Sequence, residues 1–174
     1  MNTSELVTEI SDSTEKIIAL ISPLTNIQLN LVPFEGSWTA GQVSRHIIKS
    51  TGGLPDDVTR PADRPADQHV AALAATFLNF DVKYNSPEFV VPEDIYYEKN
   101  SIVTELNRIK EKNVQIAKTK DLSTLCMGFE FPTIGYLTRY EWLKFMVFHT
   151  ERHARQLRAI TEKLRDEHLK NARL

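Results

Sequence analysis

The sequence predicts an all-α protein, a four-helix bundle with an additional short helix and long connections. Three observations point there: apolar residues recur at helical spacing over long segments, two S/T-x-x-E/Q capping boxes mark helix starts, and only six of 174 residues are glycine. One domain over residues 1–174 is the expected organisation, since a chain of this length buries a sizeable core without disulfide staples.

The first helix is expected from about Ser4 to Ile21, where Leu6, Ile10, Ile17, Leu20 and Leu24 keep near-helical spacing and Ser13 takes the missing place. Pro23 marks its approximate end. Asn26 to Ser37 reads as a long connection, interrupted by Pro33 and Gly36. Thr39 then caps the second helix, with Gln42 at its third position and Trp38 stapled to Val43. That helix runs from Ala40 to about Thr51 and stops at Gly52-Gly53. Its apolar stripe is Val43, His46 and Ile47, so His46 points where a core residue would. Leu54 to Asp67 is proline-rich and holds a tandem Arg-Pro-Ala-Asp, read as an exposed, stiff loop whose second Asp, Asp67, caps the next helix. The third helix should cover about Gln68 to Lys83 through Val70, Leu73, Phe77, Phe80 and Tyr84.

A fourth helix from about Asp94 to Lys118 presents Ile102, Leu106, Ile109 and Ile116 on one face, with Asn113 as a polar interruption. Asp121 to Gly135 reads as a connection in which Phe129-Glu-Phe-Pro is briefly extended and nothing pairs as a sheet. The last helix begins near Arg139, capped by Thr138 and Glu141 with Leu137 stapled to Trp142, and continues to about Leu164 or beyond. From Trp142 to Phe148 it is apolar on nearly every side, as in a helix buried all round. Arg152 to Arg173 mixes both charge signs and reads as a solvated face. The bundle is assembled from the first, second, fourth and last helices, with the third helix and the long connections covering an end.

A net charge of −2 steers the chain toward neither nucleic acid nor an anionic membrane. Neither is an expected partner. No stretch approaches the roughly 18 consecutive apolar residues of a spanning helix, and the N-terminus carries no basic segment followed by an apolar run. The lone cysteine, Cys126, has no internal disulfide partner. Together these read as a cytoplasmic protein.

The last helix carries His149 and His153 at i and i+4, stacked on one face with Cβ atoms about 5 to 6 Å apart. Imidazole nitrogens bind zinc at about 2.0 to 2.1 Å, so two such rings can converge on one ion. With His46 also facing the core, two readings stand side by side: three separately hydrogen-bonded core histidines, or three ligands of one divalent ion. Each buried imidazole without partners for its nitrogens costs about 1 to 3 kcal/mol, which a shared ion relieves. Ligand histidines must be neutral, so affinity should fall below the free-histidine pKa of about 6.5. The pair is not the zinc-protease H-E-x-x-H, because Thr150 stands where the base should be and Glu151 points away. Nor are there the Glu-x-x-His pairs of a di-iron bundle. His69 and His168 lie outside the constellation.

The segments Trp38-Thr-Ala-Gly-Gln-Val-Ser-Arg-His46 and His149-Thr-Glu-Arg-His-Ala-Arg-Gln156 resemble the W-[ST]-x-x-Q-x-x-x-H and H-x-x-x-H-x-x-Q motifs of the DinB-like (DinB/YfiT) superfamily of metal-binding helical bundles. The resemblance covers most of the chain in helix order and length. It implies a site of His46, His149 and His153 for one divalent ion, commonly nickel or zinc, and it implies no DNA binding. Family members include thiol-dependent transferases and metal-dependent hydrolases, and no motif here selects between them. The expectation is a metal-dependent enzyme acting on a small molecule, with a low-molecular-weight thiol as a candidate co-substrate. The alternative is a non-catalytic module working through a partner or as a homodimer, for which aromatics near Tyr96 and Tyr97 would serve. Cys126 is expected to be a packed residue, not a nucleophile. A cluster of imidazoles that opens to solvent separates the enzyme from the module.

Overall fold

The computed structural model describes residues 2–171, with the side chains of 2–166. Four long helices form the bundle: α1 (Thr3–Ile21), α3 (Ala40–Thr51), α5 (Lys99–Thr119) and α6 (Arg139–Asn171). Both α1 and α3 pack against both α5 and α6. The pairs α1/α3 and α5/α6 therefore lie across the bundle from each other, while α3 and α5 are neighbours, an order that the long connections make feasible. Two short helices are added, α2 (Asn26–Leu29) and α4 (Val70–Phe77), and α4 lies against α6. No helix among the described residues is long and apolar enough to cross a membrane.

Local signals set the helix starts. On α3 the Thr39 hydroxyl accepts the Gln42 N–H at 3.0 Å and the Gln42 side chain accepts the Thr39 N–H at 3.0 Å. On α6 the same box closes between Thr138 and Glu141, at 2.8 and 3.2 Å. Close approach matters at Gly41, where an added Cβ would sit 3.0 Å from the Tyr97 ring and 3.2 Å from the Leu29 carbonyl oxygen. The backbone carbonyl there leaves a side chain little room.

The interior splits into two apolar clusters. One gathers Ile17, Leu29, Val43, Ile47, Leu106, Leu157 and Ile160; the other gathers Leu6, Ile10, Leu73, Leu137, Leu143 and the α6 run from Phe145 to Phe148. Along α6 the second cluster ends at Phe148 and the first resumes at Ala154. The five residues between them are where the histidines sit. Ser13 is buried as the α1 spacing implies, with its hydroxyl donating to the Ile10 carbonyl at 3.2 Å.

Several boundaries differ from the sequence expectation. The connection after α1 contains α2, whose Thr25–Gln28 capping box is itself legible as T-x-x-Q. Helix α4 ends at Phe77 because Asn79 turns the chain, its side chain accepting the Asp81 N–H at 3.2 Å. Phe80 and Tyr84 are consequently exposed and not core. Asp67 does not cap α4; His69 occupies that place without a side-chain cap. Helix α5 starts at Lys99, five residues late, because Asn26 from α2 accepts the Lys99 N–H at 3.0 Å and Asn30 pairs with both backbone groups of Tyr97 at 2.8 Å. Tyr97 is buried, while Tyr96 is exposed. A small antiparallel sheet is present after all, β1 (Thr59–Arg60) on β2 (Leu125–Cys126). His168 lies outside the described side chains.

The tandem loop is not a bland surface turn. Arg64, from the second copy, reaches in to the fully buried Glu141 and donates to both carboxylate oxygens at 2.8 Å. The His69 N–H adds a third donor at 2.8 Å, and Thr138 Oγ1 donates to the Ala66 carbonyl at 2.6 Å. The first turn of α6 is thereby bolted to the loop. Arg60, from the first copy, is exposed on β1.

Candidate metal centre

The site is built from two helices whose starts are fixed by capping boxes. His46 lies near the middle of α3, and His149 and His153 share one face of α6. The three are brought together: His46 Nε2 is 3.2 Å from His149 Nε2, and His149 Nε2 is 3.3 Å from His153 Nε2. One ligand atom from each ring lies within 4.8 Å of the others. Two nitrogens bound at about 2.0 to 2.1 Å to a tetrahedral ion are about 3.3 to 3.4 Å apart. Two of the three spacings match that edge, and the third pair, His46 with His153, lies within 4.8 Å.

Hydrogen bonds on the far sides of the rings set their tautomers. His46 Nδ1 is 2.8 Å from the Val90 carbonyl, which only accepts, so Nδ1 carries the proton and Nε2 offers its lone pair. His153 Nδ1 is likewise 2.8 Å from Gln156 Oε1. His149 Nδ1 is buried without a partner. A metal-free arrangement is therefore never fully satisfied. With its proton on Nε2, His149 can donate to only one neighbour; with its proton on Nδ1, three lone pairs face one another. Each unpaired buried nitrogen costs about 1 to 3 kcal/mol. The donor set fits a divalent cation, which takes all three lone pairs.

Burial and charge keep the rings neutral. Burial is the main cause that lowers the His46 pKa, opposed by the Val90 carbonyl and aided by Lys49. His149 is held well below the ordinary value, first by burial and then by His153, His46 and Arg152. His153 is lowered to about 4, again chiefly by burial, with His46 adding to it. His46 and His149 are buried, whereas His153 is only partly so. Aromatic rings enclose the rest: Trp38 lies 5.2 Å from His46, and Phe145 and Phe77 lie 5.4 and 5.9 Å from His149.

A family model described as the DinB superfamily matches residues 9–157. The chain belongs to that superfamily. No curated protein and no solved structure matches it. In this DinB-superfamily chain the matched span contains all three histidines, Trp38 and Gln156.

Glu151 faces away from the cluster and pairs with Lys16 at 2.6 Å. Cys126 is completely buried, and burial first, then Asp56, pushes its thiol up to about 12. It is a packed residue. His69 stays outside, its backbone engaged with Glu141. Sequence reading did not find Val90, because a main-chain carbonyl leaves no residue signature, nor Phe77, which read as a core position of a longer helix. Gln156, at i+3 from His153, was the legible one.

Proposed function

We propose that the chain binds one divalent ion, nickel or zinc, through His46, His149 and His153, and uses it on a small-molecule substrate in thiol transfer or hydrolysis. The convergence of three imidazole Nε2 atoms, with 3.2 and 3.3 Å between neighbours, carries the reading. Three histidine ligands leave a position for an exogenous group, the pattern of a catalytic rather than a closed structural site. When bound, such an ion lowers the pKa of a coordinated water or thiol, or polarises a substrate oxygen.

The chain's own residues supply the rest. Val90 and Gln156 orient His46 and His153 so that lone pairs and not N–H groups face inward. Trp38, Phe77 and Phe145 keep water from the buried side. The partial exposure of His153, beside the buried His46 and His149, is the feature that favours an enzyme over a non-catalytic module. Between the two reactions we favour thiol transfer, which the superfamily resemblance includes. The thiol must then come from outside, since Cys126 is sealed and held protonated. A buried, reduced Cys126 is in keeping with a cytoplasmic setting.

The test is metal per chain by elemental analysis, on protein purified without an affinity tag, for wild type and His153→Ala. Near-stoichiometric nickel or zinc that is lost in the variant supports the reading and opens a screen of thiol and ester substrates. Wild type that cannot be loaded refutes it.

A further inference from the structure

Between Phe77 and Val90 the chain makes an irregular arch whose two ends both rest on the imidazole cluster. The Phe77 ring contacts His149 at 5.9 Å, and the Val90 carbonyl takes the His46 proton at 2.8 Å. Residues 78–89 contain no buried side chain, in contrast to the core-forming helices on either side. A segment with so few buried apolar contacts opens at low free energy unless something else holds it.

What holds it is Arg152, which precedes His153 on α6. Its guanidinium donates to the carbonyls of Asn79 at 2.8 Å and Phe77 at 3.4 Å, and also to that of Val82. The Tyr84 ring stacks on the same group at 5.2 Å, and Arg155 stacks on Phe80 at 4.7 Å. Beyond Val90 the anchoring passes to α3, where Lys49 donates to the Val91 carbonyl at 2.7 Å and pairs with Glu93 at 3.0 Å. The arch is thus tied at its far end through α3 and in its middle through two side chains of α6, of which only Arg152 makes hydrogen bonds to the arch backbone. A planar fork is suited to this task, because it can hold several carbonyls at once where an ammonium holds them singly.

We propose that residues 78–89 form a gate over the imidazole cluster and that Arg152 is its latch, a positioning residue that controls how readily a small molecule reaches His149 and His153. The proposal rests on reading the cluster as the working site, yet it concerns access and can be tested on the chain with no ion bound. Losing a single charge-assisted hydrogen bond shifts an open–closed equilibrium by about tenfold, and Arg152 makes more than one.

The experiment compares wild type, Arg152→Ala, Arg152→Lys and Phe80→Ala/Tyr84→Ala after chelator treatment. Amide hydrogen exchange reads the opening of 78–89, with α1 and α5 as the gauge of global stability. Acylation of each imidazole by diethyl pyrocarbonate, read by peptide mass spectrometry, measures access, with His69 as the reference outside the arch. In Arg152→Ala the 78–89 amides should exchange, and His149 and His153 acylate, at least about tenfold faster relative to α1, α5 and His69. Arg152→Lys should fall between, and the exposed-ring variant should move both readouts in the same direction without touching the bundle. Faster loop exchange with unchanged acylation overturns the gate, and unchanged loop exchange overturns the latch. Failure of the metal reading would show separately, as wild type that takes up no ion while its acylation still responds to Arg152.

Discussion

Replacing Arg64 by Ala should destabilise the protein far more than the same change at Arg60, although both arginines open an identical Arg-Pro-Ala-Asp copy. Glu141 is fully buried, and Arg64 is its only charged partner among the described residues. After Arg64→Ala the carboxylate keeps the Thr138 and His69 N–H donors but loses two bonds of 2.8 Å and all compensating charge. Breaking one side of a buried ion pair costs about 3 to 5 kcal/mol, and the two surviving N–H donors place this case near 3. For a protein of this size 1 kcal/mol moves the melting temperature by about 2 to 4 °C, so a fall of about 6 to 12 °C is expected. Arg60 is exposed, and its loss should stay within about 0.5 kcal/mol. Urea unfolding with thermal melts measures both. Adding Glu141→Gln to Arg64→Ala removes the stranded charge and should recover part of the loss, as a double-mutant cycle would report. Equal stabilities of the two arginine variants would refute the reasoning.

Gln156→Leu should keep one ion per chain but weaken its hold roughly 10- to 100-fold, because His153 loses the acceptor that fixes its tautomer; competition against a chelator measures this, and unchanged affinity removes that role. The metal-free protein should lose stability in acid. All three histidine pKa values are lowered on folding, so below 6.5 the unfolded chain takes up protons first. Each such histidine then removes about 1.4 kcal/mol per pH unit until its folded value is reached, near 4 for His153, and nothing is lost above 6.5. A urea midpoint that stays flat between pH 7 and 5 would contradict this. For the same reason proton competition with an ion in the folded site should set in below the 6.5 that free histidine suggests, and titrating bound metal against pH decides between them. Cys126 should resist a thiol reagent at pH 8 in the native protein and react once denaturant is added; equal rates would show that it is not sealed.

What could be read in the sequence was what local chemistry dictates. The boxes at Thr39–Gln42 and Thr138–Glu141 formed as their residue types require, and the stripe Val43, His46, Ile47 did turn His46 inward. What escaped were structures stabilised from a distance. Asn26 and Asn30 delay the start of α5 from more than 60 residues away, and Arg64 leaves a proline-rich loop to neutralise Glu141. Local pattern carries no record of such partners. Phe80 and Tyr84 kept helical spacing but lie on the arch, where cation–ring contacts with Arg155 and Arg152 take the place of core packing. At the site, the three rings were legible because side-chain identity betrays them, whereas the Val90 carbonyl was not.

The three histidines are unequal in one further respect, their separation along the chain. His149 and His153 stand four residues apart, while His46 and His149 stand 103 apart. An ion shared by His46 and His149 would close a covalent-like ring through most of the bundle. In chain-entropy terms, a link across about 100 residues restricts the unfolded ensemble by an amount worth about 4.7 kcal/mol, whereas a link within one helical turn restricts it little. His46 is the imidazole through which such a ring would close, whereas His153 would add only the short link within α6. In the ion-bound chain His46 would thus be the clasp and His153 a second stitch beside His149.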